Sequence, residues 1–277
     1  MTILRTSWPL ALALALALGC SNPEPIPQPA DPQLPERHHR WTDDLGQGGT
    51  PDPARYGDLA AAGYAALLCV DGQAPDAAAA EAAGLTLYHV PIGYGAMSDY
   101  QRLAILRAAR AAPGPLYVYC QHGKHRGPAA AALVRLDRGV AKPEVLEGFL
   151  ETVNAHYASL IASVREFERP ADAEVESVGV PPAGVASKPL GMAMDDVGEH
   201  YEALQEAPSA ELAALLRQDF KETTRLTEGD LAADLAAAGA EAGAIEALLD
   251  GGPPDEALLD RIAAFAERCV HCHALRR

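Results

Sequence analysis

The sequence is short of cysteine, of basic side chains and of long apolar runs. Only five of its 277 residues are cysteines, and Cys69 lies in an apolar run typical of a buried strand, so we expect a fold that depends on its cores rather than on disulfides. The apolar run at residues 8–18 is too short to cross the roughly 30 Å of bilayer hydrocarbon. The 22 basic residues stand against 38 acidic ones, and the net charge of −16 argues against nucleic acid as a partner.

The acidic excess is concentrated in the second half of the chain. Residues 41–169 carry 14 acidic and 11 basic side chains, whereas residues 170–277 carry 21 acidic and 8 basic ones. The net charge is therefore −3 in the first segment and −13 in the second. Such an acidic surface repels anionic surfaces and attracts a basic redox partner, although most of this charge serves to solvate helices.

The N-terminus has the pattern of an export signal. Arg5 precedes the apolar run, and Gly19 and Ser21 flank Cys20. Small residues before a cysteine are typical of bacterial lipoprotein signals, in which Cys20 becomes the lipidated first residue; plain cleavage is the alternative. We expect a signal peptide at residues 1–20, a proline-rich tether at residues 21–40, and a periplasmic protein held at the membrane by its lipid anchor.

Strand and helix patterns alternate between residues 41 and 168, which predicts an α/β domain with a central sheet flanked by helices. Ser98 and Gln101 have the spacing of a capping box at the start of a helix. Residues 169–190, rich in Pro, Ala and Val, predict a linker. The expected strands are at residues 65–70, 85–90 and 116–119, and the expected helices at 53–62, 75–83, 98–112, 128–138, 142–154 and 156–168.

The segment at residues 116–128 has the clearest chemical meaning. A β-prone run ends at Cys120, Arg126 follows six residues later, and Pro128 leads an alanine-rich helix. A strand, a tight loop and a helix N-terminus form an anion cradle, because amide N–H groups converge there and the helix dipole favours negative charge. A cysteine at this place is stabilised as a thiolate and becomes a nucleophile, while the arginine binds phosphate oxygens with two donors.

This segment resembles the Cys-x5-Arg signature of the cysteine-dependent, dual-specificity type protein phosphatases, and the resemblance extends over about residues 41–168. It implies that Cys120 is the nucleophile and that Arg126 binds the phosphate. A cysteinyl-phosphate would form and water would then hydrolyse it, with the loop amides holding the equatorial oxygens. The phosphate-binding residues implied are Gln121, His122, Gly123, Lys124, His125 and Arg126.

The sequence departs from that family at two places. Gly127 stands where the family has a Ser or Thr that helps the thiolate leave, and no clear motif marks the general acid. Asp99 is the candidate acid, and the alternative is a first-turn helix carboxylate. His122 and His125 are expected to add positive charge that favours the Cys120 thiolate. Lys124 matches a lysine of phosphatases that act on highly anionic substrates, or is a solvated loop residue.

The chain after residue 190 has helical periodicity throughout. Four helices with short connections predict an antiparallel four-helix bundle over residues 191–277. Apolar residues recur at three- and four-residue spacing in residues 193–206, 208–226, 228–249 and 254–275.

Cys269, Cys272 and His273 form the sequence Cys-x-x-Cys-His, which attaches c-type haem. On a helix these residues share one face, so both thiols can add to the haem vinyl groups while the imidazole binds the iron. Export agrees with this prediction, since c-type haem is attached outside the cytoplasm. The alternatives are a disulfide and a zinc site, which would require a fourth ligand.

A helical bundle with this motif near the end of its last helix resembles the cytochrome c′ type, over roughly residues 190–277. The resemblance implies His273 as the axial ligand and a homodimer as a frequent assembly. A sixth ligand from the first helix would be Met194, with Met192 and His200 as further candidates; a Met there is alternatively plain core.

Three functional hypotheses follow. The first is an exported phosphatase that acts on a phosphorylated substrate and carries a covalent haem domain. The second is a catalytically weak phosphate-binding module or a redox- or gas-sensing lipoprotein. The third is an electron-transfer cytochrome whose first domain targets a partner.

Overall fold

A mixed sheet lies at the centre of the first half of the chain. The computed structural model describes residues 32–274, with the side chains of residues 32–268. Across the sheet the strand order is β1-β2-β5-β3-β4, with β1 antiparallel to β2 and all other neighbours parallel. The strands are β1 (His39–Thr42), β2 (Leu45–Gly48), β3 (Ala66–Cys69), β4 (Thr86–His89) and β5 (Leu116–Tyr119).

Helices cover both faces of this sheet and continue beyond it. A short 3-10 helix at Pro53–Arg55 precedes the first of them. The helices are α1 (Tyr56–Ala61), α2 (Ala77–Ala82), α3 (Asp99–Ala111), α4 (Arg126–Asp137), α5 (Lys142–Leu150), α6 (Ala158–Arg165), α7 (Asp172–Ser177), α8 (Leu190–Glu206), α9 (Ala210–Thr224), α10 (Gly229–Asp250) and α11 (Glu256–Ala274).

The middle strands β3 and β5 are apolar on both faces, as expected for parallel strands between two helical layers. Leu68 and Val118 belong to the core that includes α3, α4, α5 and α6. Their neighbours Leu67 and Tyr117 belong to the opposite core, with residues of α1 and α2. Side chains of a strand alternate between its faces, so these two strands join both cores. β5 therefore ends in the most buried part of the sheet.

The predicted strands at residues 65–70, 85–90 and 116–119 are confirmed as β3, β4 and β5. The predicted helices of this half are confirmed as well, with ends that shift by a few residues. The largest shift is at α5, which ends at Leu150 rather than at residue 154.

Two elements contradict the predicted tether and linker. β1 begins at His39, inside the segment expected to be a tether. It is a short polar edge strand, which has no apolar alternation to reveal it. α7 lies in the expected linker; the Ala171 N–H donates to Glu174 Oε2 over 2.7 Å at its start, and Val175 is fully buried. The buried side chain of Val175 anchors this segment, and composition alone does not predict that burial.

The four predicted C-terminal helices are confirmed as α8 to α11. Phe220, Ile245 and Phe265 lie in a core that these helices share. Their arrangement as an antiparallel four-helix bundle stays a prediction. α9 also contributes Ala214 and Leu215 to the core of the sheet, so this helix has one face in each core.

The described residues, 32–274, all fall within one compact unit. The domain boundaries at residues 168 and 191 stay a prediction. Between residues 32 and 274, no helix is both long and apolar enough to span a bilayer. The expected signal peptide and Cys20 lie outside the described residues.

Candidate active site

The loop between β5 and α4 begins at Cys120 and ends at Arg126. Cys120 directly follows the central strand β5 and is only 3% exposed. Arg126 is the first residue of α4 and is 2% exposed. Every residue of α4 is buried, and its alanines allow the helix to pack closely against the sheet. The loop therefore has a rigid element on each side.

Gly123 allows this loop to pass against the end of β2. Its φ is +63°, and a Cβ there would lie 2.4 Å from the backbone carbon of Gly48. His122 forms an isolated bridge with Gly49, and the N–H of Thr50 donates to the Gln121 carbonyl over 3.2 Å. Only glycine combines this backbone conformation with this close approach.

Gly127 shows where the thiol lies relative to α4. A Cβ on Gly127 would be 3.5 Å from Cys120 Sγ and 3.3 Å from the Cys120 nitrogen. The sulfur therefore lies against the first turn of α4. His125, the N-cap residue, makes no side-chain capping hydrogen bond, so the first amides of α4 are free to face an anion.

Arg126 is held through one nitrogen by three acceptors. Its Nη2 donates to Asp71 Oδ2 over 3.0 Å and to the Tyr94 hydroxyl over 3.1 Å. The same nitrogen donates to Glu222 Oε1, on α9, over 2.8 Å. The guanidinium also lies over the Tyr94 ring, 4.3 Å from its centroid. These contacts fix the plane of the guanidinium before any ligand binds.

The other two nitrogens of Arg126 are nearly unused. Among the described residues, Nη1 has only a long contact of 3.5 Å with the Ile92 carbonyl. Nε is buried and has no hydrogen-bond partner within the part of the chain that the structure describes. A buried donor without an acceptor is costly, so this nitrogen is a natural place for an anionic oxygen.

Asp71, directly after β3, holds the start and the end of the loop together. Its Oδ2 accepts from the Gln121 N–H over 2.9 Å as well as from Arg126. Arg225 of the C-terminal region contacts its Oδ1 over 2.9 Å. Burial alone would raise the pKa of Asp71, but Arg126 and Arg225 keep that pKa below its usual value. Asp71 is therefore ionised, and its carboxylate links Gln121 at the start of the loop to Arg126 at its end.

The expectation that His125 adds positive charge at neutral pH is wrong. Burial, followed by Lys124 and Arg126, lowers the pKa of His125 to about 4. Its Nδ1 accepts from the Asn154 N–H over 3.3 Å, and its ring packs on Tyr157. Burial and nearby cations also lower the pKa of His122. Neither ring is therefore a source of positive charge for the loop at neutral pH.

Asp99 lies in the arrangement of a first-turn helix carboxylate. It is the first residue of α3, its side chain is 87% exposed, and it forms an ion pair with Arg102. The capping box of Ser98 and Gln101 is confirmed. A role for Asp99 as a general acid would require its ion pair with Arg102 to open.

A cleft of about 970 Å³ opens beside the loop and is lined by residues from both halves of the chain. The loop contributes His122, Gly123, Lys124 and His125, and α9 contributes Arg217, Gln218 and Lys221. A second cavity of about 580 Å³ has Arg126 and Glu222 in its wall. Tyr94 lines both cavities, whereas Arg126 lines only the second.

Only some of the expected haem ligands have side chains among the described residues. Met194 is half-buried against the helical core, Met192 is exposed, and His200 Nδ1 pairs with Asp219 Oδ2 at 2.5 Å. α11 extends through Ala274. The side chains of Cys269, Cys272 and His273, like all of Cys20, lie outside the described residues.

The sequence reasoning missed Asp71, Tyr94, Glu222, Arg225 and Lys221. Nothing near Asp71 or Tyr94 in the chain signals a partner for Arg126. The residues of α9 had one available signal. Arg217, Lys221 and Arg225 follow each other at four-residue spacing within the most acidic part of the chain.

No protein-family model and no curated protein matches the chain. Among solved structures it is similar to the core catalytic domain of the PP-IP phosphatase SIW14 from S. cerevisiae, with 14% identity, coverage of 51% of this chain and 83% of that chain, and a TM-score of 0.38. It is also similar to TpbA from P. aeruginosa, with 22% identity, coverage of 50% and 86%, and a TM-score of 0.41. A structure of TpbA with phosphotyrosine gives 22% identity, coverage of 50% and 93%, and a TM-score of 0.39.

Proposed function

We propose that this chain hydrolyses phosphate monoesters with Cys120 as the nucleophile. The observation that carries the proposal is the buried Nε of Arg126, which has no acceptor among the residues described. Arg126 lies at the end of a loop that begins at Cys120. This loop leads directly into α4, whose N-terminus has no side-chain cap. A phosphate dianion in this loop would supply the missing acceptor and face the free amides.

The proposed reaction has two steps. The Cys120 thiolate attacks the phosphorus, the bond to the ester oxygen breaks, and that oxygen leaves with a proton as the alcohol or phenol. A water molecule then attacks the cysteinyl-phosphate, releases inorganic phosphate and restores the thiol group. The amides of residues 122–126 and Arg126 would stabilise the charge on the phosphoryl oxygens in both steps, while the Gln121 N–H stays bonded to Asp71. Asp99 stays the candidate source of the leaving-group proton.

Hydrolysis of nitrophenyl phosphate tests the proposal. We expect turnover by the full chain and its loss in Cys120→Ser. Arg126→Lys keeps the charge but not the forked geometry, and should lower kcat/KM about 100-fold. Cys69→Ala is the matched control, because Cys69 is buried and burial raises the pKa of its thiol to about 12. A folded wild-type protein without turnover would refute the proposal.

Phosphate binding without turnover is the second candidate function, and Gly127 is the observation that favours it. Glycine places no hydroxyl beside Cys120 Sγ, where a side chain would lie 3.5 Å away. In this case the wild-type protein binds inorganic phosphate, Arg126→Ala abolishes binding, and no ester is hydrolysed.

We also propose a covalent c-type haem on α11, with Cys269 and Cys272 as attachment points and His273 on the iron. The donor set of two thiols and one imidazole fits this group, which would supply a redox-active or gas-binding iron. Met194 is the proposed sixth ligand. A visible spectrum with a pyridine-haem assay tests this, and Cys269→Ala with Cys272→Ala should remove the pigment.

The proposed cell location follows from Cys20. A lipid on this residue would hold the protein at a periplasmic membrane surface. Metabolic labelling with a radioactive fatty acid should mark the wild-type protein but not Cys20→Ser. Equal labelling of both proteins would exclude this anchor.

A further inference from the structure

Helix α9 and its C-cap residue carry a row of basic residues, two of which, Arg217 and Lys221, line the cleft beside the loop. Arg217, Lys221 and Arg225 are spaced four residues apart, so they lie along one side of the helix. They are three of only 8 basic residues in residues 170–277, where 21 residues are acidic. The acidic region thus gathers much of its positive charge at one place.

The two outer members of this row are already paired. Arg225 contacts Asp71 at 2.9 Å and Glu222 at 2.7 Å. Arg217 donates from Nη2 to Glu246 Oε1 over 3.2 Å. Lys221, between them, is exposed, and within the described residues its ammonium has neither an ion pair nor a hydrogen bond. The ammonium of the middle residue is therefore available to an anion from outside.

Lys221 lines the same cleft as the loop residues. Lys124 of the loop, also without an ion pair among the described residues, lines it too. Arg37 stands in the cleft wall and donates to the His122 carbonyl over 3.1 Å. The acidic residues in the lining are Glu36, which pairs with Arg37, and Glu151. Basic residues thus outnumber acidic ones in a molecule whose net charge is −16.

The cations of this cleft repel one another. Although Lys221 is exposed by surface area, partial desolvation of its ammonium at the cleft wall, together with Arg217 and Lys124, lowers its pKa, and Glu246 acts against them. Burial and then Lys221, Arg37 and Lys124 lower the pKa of His122. Crowded cations of this kind are stabilised when an anion binds between them.

We propose that Lys221 and Lys124 bind a second anionic group of the substrate, so that the preferred substrate is a small phosphate monoester that carries a further phosphate. This inference rests on the proposed function, because the phosphate that reacts occupies the loop between Cys120 and Arg126. Lysine binds phosphate as a mobile point charge with three donors, which suits a group whose position varies between substrates. Lys221 thereby becomes a specificity-determining residue supplied by the C-terminal helical region.

Paired substrates test the inference directly. The monophosphates and bisphosphates of catechol, resorcinol and hydroquinone differ only by the second phosphate and by its distance from the first. In the wild-type protein, kcat/KM for at least one bisphosphate should exceed that of its monophosphate by about tenfold. Lys221→Gln should abolish most of this preference, and added salt should weaken it in the wild type.

Arg165→Gln is the control variant. Arg165 is exposed on α6 and does not line the cleft, so its substitution removes one positive charge elsewhere and should keep the preference. Lys124→Gln should reduce the preference as Lys221→Gln does. A wild-type protein without preference, or an equal preference in Lys221→Gln, would overturn the inference.

A binding experiment separates this inference from the proposed function. Calorimetry with Cys120→Ser measures the affinity for each monophosphate and bisphosphate without turnover. Tighter binding of the bisphosphate that is lost in Cys120→Ser with Lys221→Gln supports the second site, even where the wild-type protein hydrolyses nothing. Hydrolysis of monophosphates with equal affinity for both members of each pair would instead uphold the proposed function and refute the second site.

Discussion

Arg126 is the residue in which the two halves of the chain meet. Asp71, Tyr94 and Glu222 hold its Nη2, while its Nε faces no acceptor among the residues described. The guanidinium is thus oriented before a ligand arrives, and a ligand would not have to bear the entropy of ordering it. Cys120, at the other end of the loop, is fixed by the central strand.

Gly127→Ser should change the second step of the proposed reaction. The added Cβ would lie 3.5 Å from Cys120 Sγ, which brings a hydroxyl near the departing thiolate, although the Cys120 nitrogen must shift slightly. We expect the steady-state rate to rise severalfold relative to the initial burst in rapid-mixing measurements. Gly127→Ala, which adds the Cβ without the hydroxyl, should show no such rise. An equal rise in both variants would contradict this role.

Gly123→Ala should unfold more easily than a matched glycine variant. Gly123 has a φ of +63° and close backbone neighbours, whereas Gly84 has a φ of +71° and nothing within 4 Å. Gly84→Ala should lower the free energy of unfolding by about 1 kcal/mol for its backbone conformation alone. Gly123→Ala should lower the free energy of unfolding by about 2 kcal/mol more than Gly84→Ala does, because its Cβ would contact Gly48. Denaturant unfolding measures both, and equal losses would disprove the close approach.

At the scale of elements, the strand, loop and helix around Cys120 could be predicted because their signals are local. An apolar run, a glycine and a Pro-led alanine helix occur within 21 consecutive residues. The partners of Arg126 could not be predicted, since Asp71 and Glu222 are 55 and 96 residues away from it in the chain. For the same reason α7 was missed, because the burial of Val175 depends on contacts with distant elements.

Glu222→Gln should strengthen phosphate binding to the loop. Glu222 places a negative charge 2.8 Å from Arg126, and its removal leaves the guanidinium with less compensating charge. We expect the inhibition constant of inorganic phosphate to fall by about tenfold, with a loss of about 1 kcal/mol in the free energy of unfolding from the weakened hydrogen bond.

Glu228→Gln is the matched control for this prediction. Glu228 is the exposed N-cap residue of α10, and among the described residues it forms neither a hydrogen bond nor an ion pair with Arg126. Its substitution makes the same change in net charge, so phosphate inhibition should stay as in the wild type. If phosphate binds more weakly to Glu222→Gln, then Glu222 helps to position Arg126 instead of competing with the anion.

At the scale of the whole molecule, the described histidines predict a stability maximum near pH 6.5. Burial keeps the pKa of His125 at about 4, so the unfolded state binds more protons below pH 6.5 and stability rises with pH up to that value. Hydrogen bonds that the His156 ring donates to Glu246 and Asp250 raise its pKa, so its contribution to stability is complete below pH 6.5 and is lost as pH rises above it. Thermal unfolding between about pH 5 and 8 should show this maximum.

Two variants separate the acid and alkaline sides of this dependence of stability on pH. His156→Gln should flatten the decline on the alkaline side, because it removes the ring that joins the loop before α6 to α10. His125→Gln should flatten the rise on the acid side. A melting temperature that increases steadily through pH 8 would contradict the account.

Because α9 contributes side chains to two cores, it affects how the protein can fold during synthesis. Synthesis begins at the N-terminus, so Cys120 and its loop leave the ribosome long before Glu222 and Arg225. Until α9 emerges, Arg126 and Asp71 lack their partners from that helix, and part of the sheet's core is uncovered. The loop and Arg126 can therefore reach the arrangement described above only after α9 has been synthesised.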